Sequence, residues 1–162
     1  MYVQDWEGVQ VLTSDKGKSE AVLIAGGQSC RLSIAINGSR LGVFSPHGSG
    51  STVGILELPD GKVLETPGLE KYDERGRPLV RLAALSPDGN RIALSGRVVG
   101  HDHWYHVGVW DIKTGVKHSW ETDTMKPNGL VYSANGTMFA ICGNGQRRDQ
   151  GVLAVYKVPE LK

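Results

Sequence analysis

The sequence predicts an all-β fold made of four-stranded antiparallel sheets, with about three such sheets in the chain. Three observations support this: the apolar runs are short and rich in Val, Ile and Leu, tight turns close them, and the turns recur at a nearly constant interval. Glycine accounts for 22 of the 162 residues, roughly twice its average share of about 7%. Such a density indicates many turns and short elements, and no sustained apolar stripe at helical spacing interrupts the pattern.

A tight hairpin turn joins the first two strands of each predicted sheet. Residues 32–36 end at Asn37-Gly38, and residues 41–44 follow at once. Two apolar runs joined by Asn-Gly are the strongest short-range signal of a β-hairpin. The same arrangement predicts two further hairpins, which are residues 82–85 with 91–94 around the turn Ser86-Pro87-Asp88-Gly89 and residues 130–132 with 138–141 around the turn Ser133-Ala134-Asn135-Gly136.

A second set of turns joins the last two strands of each sheet. Each of these turns follows an apolar run, at residues 9–12, 53–58 and 107–112. The turns are Asp15-Lys16-Gly17, Pro59-Asp60-Gly61 and Lys113-Thr114-Gly115. Four strands that repeat every 40 to 50 residues or so are the signature of the blades of a β-propeller. The sequence therefore predicts a propeller-type repeat protein.

The blades divide residues 1–162 of a single repeat domain. Residues 1–29 supply the last two strands of a partial blade, residues 30–67 form blade 1, residues 79–122 form blade 2, and residues 129–158 form an incomplete blade 3. Propellers typically have about four to eight blades, so this partial β-propeller does not close a ring alone. Either chains associate head to tail as a homo-oligomer, with a dimer favoured because Met1 has the character of a natural start, or the missing blades lie in a longer chain or a complementary one.

The middle repeat resembles a WD40 repeat over residues 82–115. Its Ser-Pro-Asp-Gly hairpin, the dipeptide Trp110-Asp111 and the turn Thr114-Gly115 stand in the order that the family shows. In the other two repeats Leu56-Glu57 and Tyr156-Lys157 occupy the Trp-Asp place, and no repeat carries the Gly-His pair that precedes the first strand in the family. The resemblance implies a ring of four-stranded blades that acts as a non-catalytic scaffold for protein–protein interaction.

The composition favours a soluble, cytoplasmic protein. The formal charge of +1 gives no general attraction to nucleic acid or to acidic membranes. Two cysteines are too few for a disulfide scaffold, and no apolar run reaches the roughly 18 residues of a membrane-spanning helix. No signal-peptide pattern opens the chain. We therefore expect protein partners, no nucleic-acid or membrane binding, and no cofactor.

The predicted binding surface is the rim formed by the long connections between blades and strands. Residues 45–52, 95–105 and 143–150 connect the second and third strands of the three blades, and residues 68–78 link blade 1 to blade 2. Long loops on one rim of a rigid scaffold commonly bind partners, and Trp, Tyr and Arg are enriched in interface hot spots. The candidate binding residues are His47, His101, His103, Trp104, Tyr105, His106, Arg147, Arg148 and Asp149.

A metal-dependent enzyme is an alternative that the sequence leaves open. In an extended strand His101 and His103 point to the same side, and imidazole is a common metal ligand. The segment Pro127-Asn128-Gly129-Leu130 resembles part of the gluconolactonase-like propellers, in which the asparagine binds a divalent cation. That resemblance implies a small hydrolase or lactonase.

For Asn128 and the two cysteines, a structural role is favoured over a functional one. Asn128 is expected to be a turn residue between two blades, and Cys30 and Cys142 are expected to be small buried apolar residues. A third functional hypothesis treats the chain as an evolutionary or engineered propeller fragment that has no ligand. It predicts assembly without any bound partner.

Overall fold

The computed structural model contains fourteen β-strands, and within its described residues it contains no helix. The described residues are 2–5, 8–12, 19–22, 31–35, 37–44, 53–58, 60, 62–64, 80–97, 105–122, 126–145 and 150–161. The strands are β1 (Tyr2–Asp5), β2 (Gly8–Leu12), β3 (Ser19–Val22), β4 (Arg31–Ile34), β5 (Arg40–Phe44), β6 (Val53–Glu57), β7 (Lys62–Leu64), β8 (Val80–Leu85), β9 (Arg91–Arg97), β10 (Tyr105–Asp111), β11 (Lys117–Thr122), β12 (Lys126–Tyr132), β13 (Met138–Asn144) and β14 (Gly151–Lys157). This part of the chain therefore offers no helix that could cross a membrane.

The strands form four antiparallel sheets, in which each strand pairs with the next one along the chain. We call them the N-terminal sheet (β1–β3), blade 1 (β4–β7), blade 2 (β8–β11) and blade 3 (β12–β14). Blades 1 and 2 have four strands each, and the two terminal sheets have three each. This arrangement confirms the all-β fold of four-stranded blades. Residues 1–29 contain three strands rather than the expected two, because β1 pairs with β2.

The hairpin turn between the first two strands is the same in all three blades. In blade 2, Ser86 N donates a hydrogen bond to Arg91 O, and Gly89 N donates one to Ser86 O, both at 2.9 Å. Gly89 has a φ of 72°, in the left-handed region that glycine adopts without a steric cost. Gly38 and Gly136 hold the same conformation in the other two turns, with φ of 71° and 70°. The three hairpins therefore follow the Asn-Gly and Asp-Gly signals of the sequence.

Consecutive blades pack face to face, and the core of the described chain lies between them. We call the face of a blade that points toward the preceding sheet its backward face, and we call the opposite face its forward face. The cluster between blades 1 and 2 consists of Ile55, Leu85, Ile92, Leu94 and Ile112. The cluster between blades 2 and 3 consists of Ala93, Val107, Val109, Phe139, Ile141 and Val158.

Hydrogen bonds between successive hairpin turns hold blade 1 against blade 2. Asn37 Nδ2 donates to Asp88 O at 3.0 Å, and Arg40 Nη1 donates to Gly89 O at 2.6 Å. Further along the same boundary, Leu85 N donates to Ser33 Oγ at 2.9 Å. Because these bonds join the backbone of one blade to side chains of the other, they set the angle between the two sheets as well as their separation.

Where the structure describes them, the hairpin turns and the ends of the third strands lie on one rim of the blades, which we call the turn rim. In blade 2, Ile112 N at the second turn donates to Asn90 O at the hairpin turn, at 3.0 Å. In blade 3, Val158 N donates to Thr137 O at 2.9 Å. The connections between second and third strands leave from the opposite ends of those strands, as expected for an up-and-down sheet.

Candidate functional site

Most of the predicted rim residues lie outside the described residues. These are His47, His101, His103, Trp104, Arg147, Arg148 and Asp149. Tyr105 and His106 are described, and they begin β10 rather than lying in a loop, since they pair with Arg97 and Gly96 of β9. His106 is half-buried and has an interaction partner.

Asn128 is not a turn residue, so that interpretation of it was wrong. It lies inside β12, where the register with β13 shifts between Pro127 and Gly129, and it is exposed. The register of β8 shifts in the same way between Val80 and Leu82. A β-bulge inserts one extra residue and increases the local twist. Because the bulge recurs in the first strand of two blades, it is a feature of the repeat rather than a mark of one metal loop.

The described residues do not bring metal ligands together. Among them, no group of three or more His, Cys, Asp or Glu side chains is arranged to hold an ion. A site that used His101 and His103 falls outside the described ranges.

The Trp-Asp dipeptide of blade 2 builds its own turn. The Asp111 carboxylate accepts hydrogen bonds from Lys113 N at 3.0 Å and from Thr114 N at 2.8 Å. Burial alone would raise the pKa of Asp111, but these bonds lower it below its ordinary value. The indole of Trp110 lies against Gly108, where an added Cβ would stand 2.5 Å from its ring. Both residues of the dipeptide therefore have a structural role in this blade.

A cleft of about 830 Å³ opens on the turn rim between blades 2 and 3. Its lining carries both signs of charge, with Asp88, Arg91, Lys157 and Glu160 among its residues. The Asp88 carboxylate is already used by its own turn, since it accepts hydrogen bonds from Ser86 Oγ at 2.6 Å and from Asn90 N at 3.0 Å. The cleft therefore offers no concentration of one charge for a ligand to recognise.

Blade 3 exposes an apolar forward face, which is the strongest candidate for a functional surface. On this face Val131, Ala140 and Val155 lie side by side across the three strands, because Ala140 pairs with both of the others. Leu153 is 71% exposed, Val131 61% and Val155 59%. Contiguous exposed apolar patches on soluble domains commonly mark interaction sites.

Cys142 belongs to this exposed face, so the expectation that it is buried was wrong. It pairs with Leu153 on one side and with Gly129 on the other, and it is exposed. Ser95 holds the same register position in blade 2 and is buried. A cysteine at this position would be buried if another sheet covered the forward face of blade 3.

Residues on the forward face of blade 3 occupy register positions that are buried in blade 2. Val107 and Val109 of blade 2 occupy the positions of Leu153 and Val155, and both are 0% exposed because blade 3 covers them. The sequence carried a signal of this, since residues 152–156 are apolar throughout. Such a run is typical of a strand that is buried on both faces.

Solved structures with a similar fold include TolB from Acinetobacter baumannii, at 18% identity and a TM-score of 0.61 over 92% of this chain and 34% of that one. They also include a candidate 6-phosphogluconolactonase from Bacteroides uniformis, at 20% identity and a TM-score of 0.57 over 98% of this chain and 47% of that one. The fold is that of part of a β-propeller. The chain spans between a third and a half of the length of these two structures. No protein-family model matches the sequence, and no curated protein matches it.

Proposed function

We propose that the chain is a non-catalytic interaction module of WD40-like propeller type, which self-associates through the forward face of blade 3. The observation that supports this is the exposure of Leu153 and Val155 at positions where the preceding blade buries Val107 and Val109. The WD40 resemblance of residues 82–115 supports the scaffold role.

The energetics favour an association that covers this face. Fully burying one Val or Leu side chain contributes on the order of 1.5–3 kcal/mol, and the face presents several of them. Association also costs translational freedom and the ordering of side chains, so a few exposed residues at the centre of the patch should dominate the affinity. Leu153 and Val155, which lie next to each other on one face of β14, are those residues.

Substitutions that place two charged side chains on the forward face of blade 3 test the proposal. The double substitution Leu153→Asp with Val155→Asp should abolish association, because burying two unpaired carboxylates costs far more than the contact returns. The matched control is Val63→Asp on β7, since Val63 is equally exposed at 62% but belongs to blade 1. Light scattering should give the monomer mass for the double variant and the wild-type oligomer mass for the control. A wild type that stays monomeric at all concentrations would overturn the proposal.

The rim residues are proposed as a second surface, for partners other than this chain. Trp104, Tyr105 and the arginines Arg147 and Arg148 are of the types that dominate protein interfaces. A cytoplasmic scaffold would use this rim while the blade face completes the ring.

The alternative function is that of a metal-dependent hydrolase or lactonase. The fold shared with the Bacteroides uniformis protein is compatible with this alternative. Metal analysis of protein purified without chelators separates the two. The scaffold proposal expects no divalent metal in stoichiometric amount. One bound metal per chain that is lost in the double substitution of His101 and His103 by alanine would favour the enzyme instead.

A further inference from the structure

We propose that the cleft on the turn rim between blades 2 and 3 binds a monocarboxylate that carries a flat apolar group, and that Arg91 holds its carboxylate. This site goes beyond the proposed self-association, because it lies between two blades of one chain and needs no second copy. The cleft has a volume of about 830 Å³, which is within the range of roughly 300–1,000 Å³ that ligand pockets have.

The cleft opens at a boundary where the hairpin turns lack a bond that joins the turns of blades 1 and 2. At that first boundary, Asn37 Nδ2 donates a hydrogen bond to Asp88 O at 3.0 Å. In the turn of blade 2 the place of Asn37 is taken by Asp88, and an ionised carboxylate has no N–H to donate. The Asp88 carboxylate accepts hydrogen bonds within its own turn instead, one of them from Ser86 Oγ at 2.6 Å. The turn of blade 2 therefore cannot reach the turn of blade 3 in the way that the turn of blade 1 reaches it.

Arg91 lines the cleft and has the same place after its hairpin turn as Arg40 has in blade 1. Arg40 Nη1 donates to Gly89 O at 2.6 Å and to Asn90 Oδ1 at 3.3 Å, so it ties blade 1 to blade 2. Arg91 Nη1 donates to Pro159 O at 3.4 Å, which exceeds the usual limit of about 3.2 Å for such a bond. A guanidinium has several N–H donors in a planar fork that matches a carboxylate, and the bond to Pro159 O occupies one of them.

The charges that line the cleft favour a ligand with a single negative charge. Lys157 and Arg91 are its cations, and Asp88 and Glu160 are its acids. The Asp88 carboxylate accepts hydrogen bonds within its own turn, and Glu160 has an interaction partner, so the cations are the groups that a ligand would meet. Asp88 also interacts electrostatically with Arg91 and offsets part of its charge. The cleft therefore suits one carboxylate rather than a polyanion.

The fourth strand of blade 2 supplies an aromatic wall to the same cleft. Trp120 and His118 of β11 both line it, and their rings meet edge to face with centroids 4.4 Å apart. Tyr156 of blade 3 packs against the indole as well, with centroids 5.4 Å apart. These contacts hold Trp120 in place, and the part of the indole that lines the cleft offers an apolar surface on which a flat group can stack.

Binding of phenylacetate to the full chain tests the inference, since this acid has one carboxylate and one flat ring. The indole N–H signals of isotope-labelled protein report contact with Trp120, and the Trp120→Phe variant assigns its signal. Phenylacetamide lacks the charge of the acid, and acetate lacks its ring. A tetrapeptide that ends in phenylalanine presents the same two groups at the end of a chain, so its affinity relative to phenylacetate distinguishes a chain terminus from a free acid as the source of the ligand.

Phenylacetate should shift the Trp120 signal, and both phenylacetamide and acetate should bind at least tenfold more weakly. Arg91→Gln should weaken the binding of phenylacetate at least tenfold. The matched control is Lys113→Gln, which removes an exposed charge next to the end of β10 that is not part of the cleft lining, and it should leave the affinity unchanged. If circular dichroism shows that Arg91→Gln does not fold, the exposed Lys157 replaces it in the test, and Lys157→Gln should weaken binding several-fold.

Three results would overturn the inference. The first is equal affinity for phenylacetate and phenylacetamide, which would show that no cation holds the carboxylate. The second is an unchanged affinity in a folded variant of Arg91 or Lys157, and the third is a Trp120 signal that does not shift at millimolar phenylacetate.

Discussion

One side chain has the same task in each hairpin turn of the three blades. In blade 3, Asn135 Oδ1 accepts hydrogen bonds from Thr137 N at 3.2 Å and from Ser133 Oγ at 2.8 Å. In blade 1, Asn37 Oδ1 accepts one from Ser39 N at 3.0 Å. In blade 2 the Asp88 carboxylate accepts the equivalent hydrogen bonds, from Ser86 Oγ and Asn90 N. Asn and Asp favour turns because their side chains form local hydrogen bonds of this type.

Asp88 should make the stability of the fold depend on pH in the acid range. Burial alone would raise its pKa, but hydrogen bonds from Ser86 and Asn90 lower it below the ordinary value of 3.8. A carboxyl whose pKa is lower in the folded state contributes stability above its unfolded pKa, and that contribution is lost as the pH falls toward the folded-state value. The Asp88→Asn variant should keep the turn, as Asn37 and Asn135 do, and should lose less stability than wild type between pH 5 and about pH 3. Urea unfolding at both pH values measures this, with Asp88→Ala as the control that loses the turn at both. Equal acid sensitivity of Asp88→Asn and wild type would contradict it.

Alanine substitutions at the turn glycines Gly38 and Gly89 distinguish the energetic cost of backbone strain from the cost of crowding between blades. Both have positive φ, so an alanine at either position costs about 1–2 kcal/mol in strain. An added Cβ at Gly38 meets nothing within 4 Å, whereas at Gly89 it would lie 3.0 Å from Ser39 Oγ and 3.2 Å from Ala35 Cβ of blade 1. Gly89→Ala should therefore be the more destabilising of the two in the free energy of unfolding. Equal losses would show that the hairpins of blades 1 and 2 do not pack as closely as the distances indicate.

The strands β10 and β14 hold equivalent positions in their blades and differ in what covers them. Both have apolar side chains on two faces, and both pair with the second strand in the same register. The burial along β14 alternates because the described residues leave one of its faces uncovered. The forward face of β10 packs against blade 3 instead.

A pair of alanine variants measures this difference between strands. Val109→Ala should lower the free energy of unfolding by about 2 kcal/mol, because Val109 is fully buried and its loss leaves a cavity. Val155→Ala should change the stability of the dilute monomer by less than about 0.5 kcal/mol and should weaken association at high concentration. Thermal melts at two concentrations a hundredfold apart separate the effects. A large loss from Val155→Ala in the dilute sample would mean that the forward face is covered within the chain.

Strands and turns could be predicted from the sequence because both depend on local chemistry. Period-2 apolar runs and Asn-Gly or Asp-Gly turns placed the three hairpins correctly. The exposure of Cys142 and Leu153 could not be predicted in this way, because an apolar strand has the same sequence pattern whether or not another sheet covers it. The bulge at Asn128 was also missed, because an Asn-Gly pair after proline has the same local signal as a turn.

At the scale of the whole molecule, the described residues form four sheets in chain order. The turns of the sequence indicate about three blades, which is fewer than the roughly four or more that a closed propeller has. The sequence did not reveal that β1 adds a strand to the N-terminal sheet. The proposed binding residues on the opposite rim, from His47 to Asp149, lie mainly outside the described residues and stay predictions. In the described part of the turn rim, by contrast, the carboxylates of Asp88 and Asp111 accept hydrogen bonds within their own turns.

The most direct test of this account is the absolute mass of the wild-type chain in solution, measured by light scattering after size exclusion over a wide range of concentration. If two copies associate through this face, the measured mass should be twice the chain mass at high concentration and should fall to the monomer mass on dilution. A folded monomer at every concentration would contradict it, because the forward face of blade 3 would then be stable in water without a second copy of the chain.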